Sequence, residues 1–424
     1  KFLKLFTNME ITWAFFVGFT ACLYSLLIHQ KLLIYLVMFF FSFTATVVLN
    51  FNSGQGISLF LMINLFITFI FIISLLRDVA NKKVLFSRYS IIPIQFGFLI
   101  LISILMPIWI DGALEVDSNQ IYLDYYKIPI QFSLDTVLNI VPLVLGIILI
   151  LSILRFVNNE ETLFKASKYM FASITFIAFW GAFQFLCNYL PFLDYPDYIF
   201  NNIKSETARG FSQTLGLENI DNSFSRLSSV THEPSTFVKH LLIPLPFLYF
   251  SMVTKTYIYN KKFDRFIFLL FIILILLSTS STGILGLITF YIISLFFLSY
   301  FYNRKTGLKL LLSMTGITLL FFLILVLFPN YIQLTLIEKL SSGSGVERFL
   351  SVTNSWQYFL MYPIYGVGWN NVTVNDLIVN ILVNSGLVGL ISFLFLFFIS
   401  IKWSTQDIKS ISANHIDSNS LRLK

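Results

Sequence analysis

Charge is scarce in this chain. Asp, Glu, Lys and Arg make up 12% of its 424 residues, against about a quarter in soluble domains, while 57% belong to the hydrophobic set. That deficit excludes a soluble globular fold, which could not hide so much apolar surface. Cysteine is scarcer still. Cys22 and Cys187 are the two, each inside an apolar run where a thiol behaves as a small hydrophobe, so neither a disulfide nor a metal site is expected of them. Short segments of alternating hydrophobicity, the mark of a transmembrane β-barrel, are missing as well. No fixed-period repeat is visible, and the one low-complexity stretch, Ser341–Gly345, reads as a flexible hinge. No separate cleavable leader is expected, since the first span can itself direct insertion; with Lys1 in place of Met, a trimmed start is an expectation.

What is abundant is apolar bulk. Phe alone occurs 49 times, and Leu59–Leu76, Ile91–Ile110 and Ile284–Tyr302 are continuous apolar stretches, close to the roughly 20 residues that cross a bilayer as helix. The expected fold is all-α, a polytopic integral membrane helical bundle of about 11–12 transmembrane helices, with residues 1–424 forming a single transmembrane domain. The expected spans are 9–28, 32–49, 57–76, 91–110, 134–154, 169–190, 236–253, 266–278, 284–302, 311–328 and 377–400.

The net charge of +7 matters less than where the cations lie, and nucleic acid is not the expected partner. One set of connections carries Lys31, Arg77, Lys82, Lys83, Arg88, Arg155, Lys165, Lys168, Lys255, Lys261, Lys262, Arg265, Arg304, Lys305, Lys309, Lys402, Lys409, Arg422 and Lys424. The opposite set carries Lys1, Lys4, Lys127, Lys204, Arg209, Arg226, Lys339 and Arg348 and includes the long loops 111–133, 191–235 and 329–376. The richer set is expected in the cytoplasm and the long loops outside. Eleven spans would leave the amino terminus outside beside Lys1 and Lys4, so either a further span precedes it or 9–76 contains another break. Within 329–376, residues 346–361 read as an interfacial helix between Gly345 and Pro363, with Arg348, Val352, Ser355 and Phe359 on one face. Trp356, Tyr358 and Trp369 suit the layer between head groups and tails.

Polar features gather on the outer side. The loop 191–235 ends in Arg226-Leu-Ser-Ser-Val-Thr-His232-Glu233-Pro234-Ser235, directly before a span. Pro fits a first helical turn, which puts Glu233 at or beside the helix N-cap with its carboxylate at the positive helix end. The plainer reading makes Glu233 a capping carboxylate, His232 an interfacial polar residue and Arg226 a lipid-phosphate contact. Leu277-Ser-Thr-Ser-Ser-Thr-Gly283 sets five hydroxyls, Ser280 and Ser281 among them, between two spans; it either lines a cavity or is a simple polar turn.

Taken together these features resemble the bacterial O-antigen polymerase and O-antigen ligase superfamily of surface-polysaccharide enzymes. The resemblance rests on Arg226 to Ser235, on the Ser-Thr-Ser-Ser-Thr-Gly turn, on Arg348 with Trp356 and Pro363-Ile-Tyr-Gly-Val-Gly368, and on Asn375-Asp376 leading into Asn384-Ser-Gly-Leu-Val-Gly-Leu390. It covers about 209–390, while the amino-terminal half adds only hydropathy. Such membership implies the GT-C class of lipid-linked glycosyltransferases. It also implies a bacterial inner-membrane location with an active site facing the periplasm, and transfer of a glycan from undecaprenyl pyrophosphate to a hydroxyl of another lipid-linked repeat unit. A separate chain-length regulator is an implied partner, alongside membrane lipid. Ligases of the superfamily usually carry His-Asn eleven residues before the last glycine-rich turn; here Asn375-Asp376 stands there. That departure favours a polymerase and leaves Glu233 or His232 as the base.

The implied chemistry asks for a carboxylate or imidazole to take the proton of an attacking hydroxyl and for guanidinium groups to meet the departing pyrophosphate. Arg209, Arg226 and Arg348 are the candidates for the latter, with Ser280, Ser281, Trp356 and Asn375 as further substrate contacts. No Asp-rich cluster or His-Glu-His spacing points to a divalent ion, so neither metal nor cofactor is expected. The alternatives are an O-antigen ligase acting on lipid A core, a cell-wall glycan polymerase of the shape, elongation and division family, and a lipid-linked glycan flippase. Against the last, Lys239 and His240 are the main full charges inside spans, whereas transporters bury charges in several. The topology makes a direct prediction. With Cys22 and Cys187 replaced by Ser, a cysteine placed at Asn119 or Ser205 should react with an impermeant thiol reagent outside intact spheroplasts, and one at Asn81 only after permeabilisation. The reverse pattern would invert the orientation.

Overall fold

The computed structural model describes residues 9–51, 56–83, 86, 88–117, 127–190, 192–202, 227–301, 316, 326 and 343–422. Among these, six helices are long and apolar enough to cross a membrane, 59–80, 91–110, 136–156, 160–188, 234–254 and 377–402, consistent with a polytopic helical membrane protein. The chain divides into two compact units, residues 1–70 with 156–344, and 71–155 with 345–424.

The first unit begins with a hairpin of α1 (Trp13–Ile28) and α2 (Lys31–Phe40). The expected span 32–49 is not one helix: α2 stops at Phe40, and the β-branched pair Val47-Val48 opens strand β2 (Val47–Phe51). That strand lies between β1 (Met9–Ile11) and β3 (Gly56–Ser58) in an antiparallel sheet, a small departure from the all-α expectation. The sheet leads into α3 (Leu59–Ala80), whose second half belongs to the second unit. Helix α8 (Glu160–Tyr189) packs along α2, with Tyr35 stacked on Tyr169 at 5.2 Å and the Ser42 and Ser173 hydroxyls 3.0 Å apart. It starts nine residues before the expected 169, because Asn159 caps it through Thr162 N (2.8 Å) and its first turns are polar. Helix length is set there by the cap, whereas hydropathy reports only the part inside the membrane.

Next in this unit come α9 (Pro234–Leu242), α10 (Leu245–Thr254), α11 (Lys261–Leu277) and α12 (Ser281–Phe301). A Cβ on Gly283 would lie 2.9 Å from Val238 Cγ1, and one on Gly286 would strike Leu242. The two contacts advance together along both helices, so α9 and α12 run parallel in close backbone contact. The apolar core of the unit, including Phe43, Ile174, Ile177, Leu227, Val230, Phe237 and Phe271, lies among these elements and α8. The expected span 311–328 falls outside the described residues apart from two positions.

The second unit contains α4 (Ile91–Ser103), α5 (Met106–Ile110), a hairpin of β4 (Glu115–Asp117) and β5 (Lys127–Pro129), α6 (Leu134–Leu138), α7 (Ile140–Phe156), α13 (Gly343–Met361, its first two residues in the other unit) and α14 (Leu377–Arg422). Arg155 at the end of α7 pairs with Asp78 at the end of α3 and donates to Ser74 O at 3.3 Å. Both ends carry the cation-rich connections, so the pairing agrees with placing those connections on one side.

The Thr254–Lys261 connection depends on one carboxylate. Asp264 is fully buried and accepts from Ile258 N (2.7 Å) and Tyr259 N (3.2 Å). Asp264→Ala would strand both donors and should cost about 3 kcal/mol, with Asp264→Asn milder because its amide oxygen still accepts. Thermal unfolding in detergent checks the order of the two variants.

Candidate functional site

In the first unit the site is built on an irregular strap, Leu227–Glu233, that no helix or strand supports. Leu227 and Val230 anchor it in the apolar core, and Ser228, Ser229 and Thr231 are fully buried. Buried backbone must find partners, and here α8 supplies them. Gln184 Oε1 accepts from both Ser228 N (3.0 Å) and Ser229 N (2.8 Å), while Ser229 Oγ donates to Ile177 O at 2.6 Å. Ser229 sits in the left-handed region at φ +53°, which turns its carbonyl towards Tyr195 OH (3.0 Å) and Asn201 Nδ2 (3.1 Å). Thr231 Oγ1 closes the strap, 2.7 Å from Ser228 O and 2.9 Å from Glu233 O.

The strap presents His232 and Glu233, both exposed. Glu233 is the N-cap of α9 with Pro234 in the first turn, as expected, yet its side chain makes no capping bond. Its carboxylate instead accepts from Ser235 Oγ at 2.9 Å. Helix capping therefore does not account for the carboxylate. His232 Nδ1 lies 3.1 Å from Thr44 Oγ1, the donor being set by the tautomer. The first half of the hydroxyl turn is buried: Ser278 Oγ donates to Ile275 O, Thr279 holds φ +51°, and Ser280 Oγ is buried without a hydrogen-bond partner among the described residues. Ser281 is partly exposed and Ser280 fully buried, so the exposed hydroxyl of this pair is Ser281. Contact between α9 and α12 places this turn beside the start of α9.

In the second unit, α13 carries Arg348, partly exposed and without an ion pair to any described residue, and Trp356, exposed with its ring 5.3 Å from Phe359. Ser355 and Phe359, expected on one face with Arg348 and Val352, are buried, at 1% and 8% exposure. The Pro363-Ile-Tyr-Gly-Val-Gly segment acts as a clasp. Helix α14 breaks at Gly386 (φ +65°, ψ −165°), and the donors freed by the break bond to the segment: Leu387 N to Pro363 O (2.8 Å) and Val388 N to Ile364 O (3.2 Å). In return Val367 N donates to Val383 O at 2.8 Å. Gly366, at φ +67°, and Gly386 each lie so close to the opposing backbone that a Cβ would enter it. Asn384 completes the clasp, taking Val372 N (3.0 Å) and giving to Val372 O (2.7 Å). Asn375 is exposed beside it, and Asp376 caps α14 through Val379 N (2.9 Å).

Arg209 and Arg226 lie outside the described residues. Gln184, Thr44, Tyr195 and Asn201 escaped sequence reasoning. Gln184 left a signal, an amide in the middle of an apolar span; Thr44 was hidden in the expected span 32–49, and Tyr195 and Asn201 sit in a loop with no periodicity to read. Comparisons of the chain with protein-family models, with curated proteins and with solved structures gave no match.

Gln184→Leu would leave two buried N–H groups unpaired, a loss of about 2 kcal/mol, and should speed hydrogen exchange across 227–233 more than elsewhere in the unit. Gln184→Glu keeps the acceptor and should protect the strap better. Equal exchange in wild type and Gln184→Leu would show that the amide does not hold it.

Proposed function

We propose that the protein is a surface-polysaccharide polymerase of the bacterial inner membrane that joins undecaprenyl-pyrophosphate-linked repeat units at the periplasmic face, with a GT-C-like bundle as its scaffold. The observation that carries this reading is Glu233: an exposed carboxylate, free of its capping duty, at the end of a strap whose backbone is buried and hydrogen-bonded. A general base must be held still and must be reachable. Glu233 takes the proton of the acceptor sugar hydroxyl as that oxygen attacks the anomeric carbon of the donor. The bond from the anomeric carbon to the pyrophosphate oxygen breaks, and the leaving group departs with its electron pair. The resemblance gives Arg348, a guanidinium without an ion pair among the described residues, the role of meeting part of that charge, and a planar fork suits it better than an ammonium. Arg209 and Arg226 belong to the same role by their place in the sequence. His232 holds its orientation through Thr44 and is the other candidate base.

Purified protein in proteoliposomes with lipid-linked repeats should lengthen them. Glu233→Gln should slow lengthening at least about 100-fold with an unchanged melting temperature, and Arg348→Ala should act in the same direction. Transfer onto lipid A core would indicate a ligase instead, and movement between leaflets without lengthening a flippase. Undiminished polymer from Glu233→Gln would remove that residue from the mechanism.

A further inference from the structure

Helix α9 and its continuation α10 expose one face with an ordered change of polarity. Glu233 stands at the outer end, followed by partly exposed Thr236, exposed Lys239, and then exposed Ile243 and Phe247. Steps of three and four residues keep positions 236 to 247 on one stripe of a helix. Lys239 lies inside the candidate span 234–254 and has no ion pair with any described residue. An ammonium costs about 3 kcal/mol at the centre of a span and less at Lys239, about 8 Å from the outer end, where its stem can lift it towards the interface. An anion beside this stripe would pair with it.

We propose that Lys239 binds the lipid-proximal phosphate of a polyprenyl phosphate carrier, with the hydrocarbon tail along Ile243 and Phe247 and the carried sugar towards Glu233. This assignment rests on the glycan-joining reading above and names the residue that seats its donor. The spacing supports it. Glu233 and Lys239 are separated by about 9 Å along the helix axis, room for the second phosphate and the anomeric centre between the lipid-proximal phosphate and the carboxylate. Phosphatidylethanolamine also sets an ammonium above its phosphate, so the carrier is distinguished from bulk lipid by its retention against a phosphatidylethanolamine background. Lys239 is a binding residue here; the proton transfer stays with Glu233.

The test uses the full-length protein in phosphatidylethanolamine nanodiscs carrying undecaprenyl phosphate or the neutral alcohol undecaprenol, with retained lipid read by native mass spectrometry. Wild type should retain the phosphate about tenfold better than the alcohol. Lys239→Met should lose that preference, and Lys239→Arg should keep it. A photoreactive phenylalanine at Ile243, with Lys239 intact, should capture the polyprenyl tail, which covers the case in which Lys239→Met does not fold. Equal retention of phosphate and alcohol by wild type, an unchanged preference in Lys239→Met, or displacement by equimolar phosphatidylglycerol would each overturn the assignment, the last by revealing a site for bulk lipid. Retention that depends on Lys239 without any lengthening of lipid-linked repeats would uphold the site and sink the polymerase reading.

Discussion

Side-chain carboxamides hold the irregular backbone of this protein where water cannot. Gln184 accepts from two consecutive N–H groups of the strap. Asn202 takes Val47 N (2.8 Å) and gives to Val47 O (3.0 Å) at the small sheet. Asn384 does the same for Val372 beside the broken helix. An amide side chain offers the donor and acceptor of a peptide group without its chain, so it can complete a backbone that leaves the helical pattern. In apolar surroundings each unpaired peptide group costs several kcal/mol. The strap, the sheet and the clasp exist because these three side chains meet that demand.

The same constraint explains where functional side chains can stand. A chain that spends its polar groups on internal pairing keeps few to spare, and those left over mark places where something else is expected to bind. Glu233 is relieved of capping, Arg348 has no ion pair to a described residue, and Lys239 stands exposed within a span. By contrast Arg155 is committed to Asp78 and Ser74, and Asp264 to two amides of its own connection. Those groups hold the fold, which leaves them unsuited to a substrate.

Much of the helical framework was legible in hydropathy. The expected 91–110 and the described 91–110 agree, and 134–154 lies within two residues of 136–156. Legibility failed where apolar character does not mean helix. Val47 and Val48 extend an apolar run but belong to a strand, because β-branched side chains next to a partner strand are as well buried there. At the candidate site, the place of Glu233 before Pro234 could be read from the residues, but the freedom of its carboxylate could not. The Tyr-Gly-Val-Gly turn entered the sequence reading only through the resemblance; the close approach of Gly366 to Val383–Ser385, and of Gly386 to Ile364, gives these glycines a packing reason of their own.

By itself the amino-acid sequence determined the solvent of this protein, the helical character of its spans and the grouping of its connections by cation content, because transfer free energy adds up residue by residue along the chain. Tertiary structure alone decided which polar groups are committed and which are spare. That division depends on distances of about 3 Å between residues far apart in the chain, such as Gln184 and Ser229 or Thr44 and His232, and no local pattern encodes them.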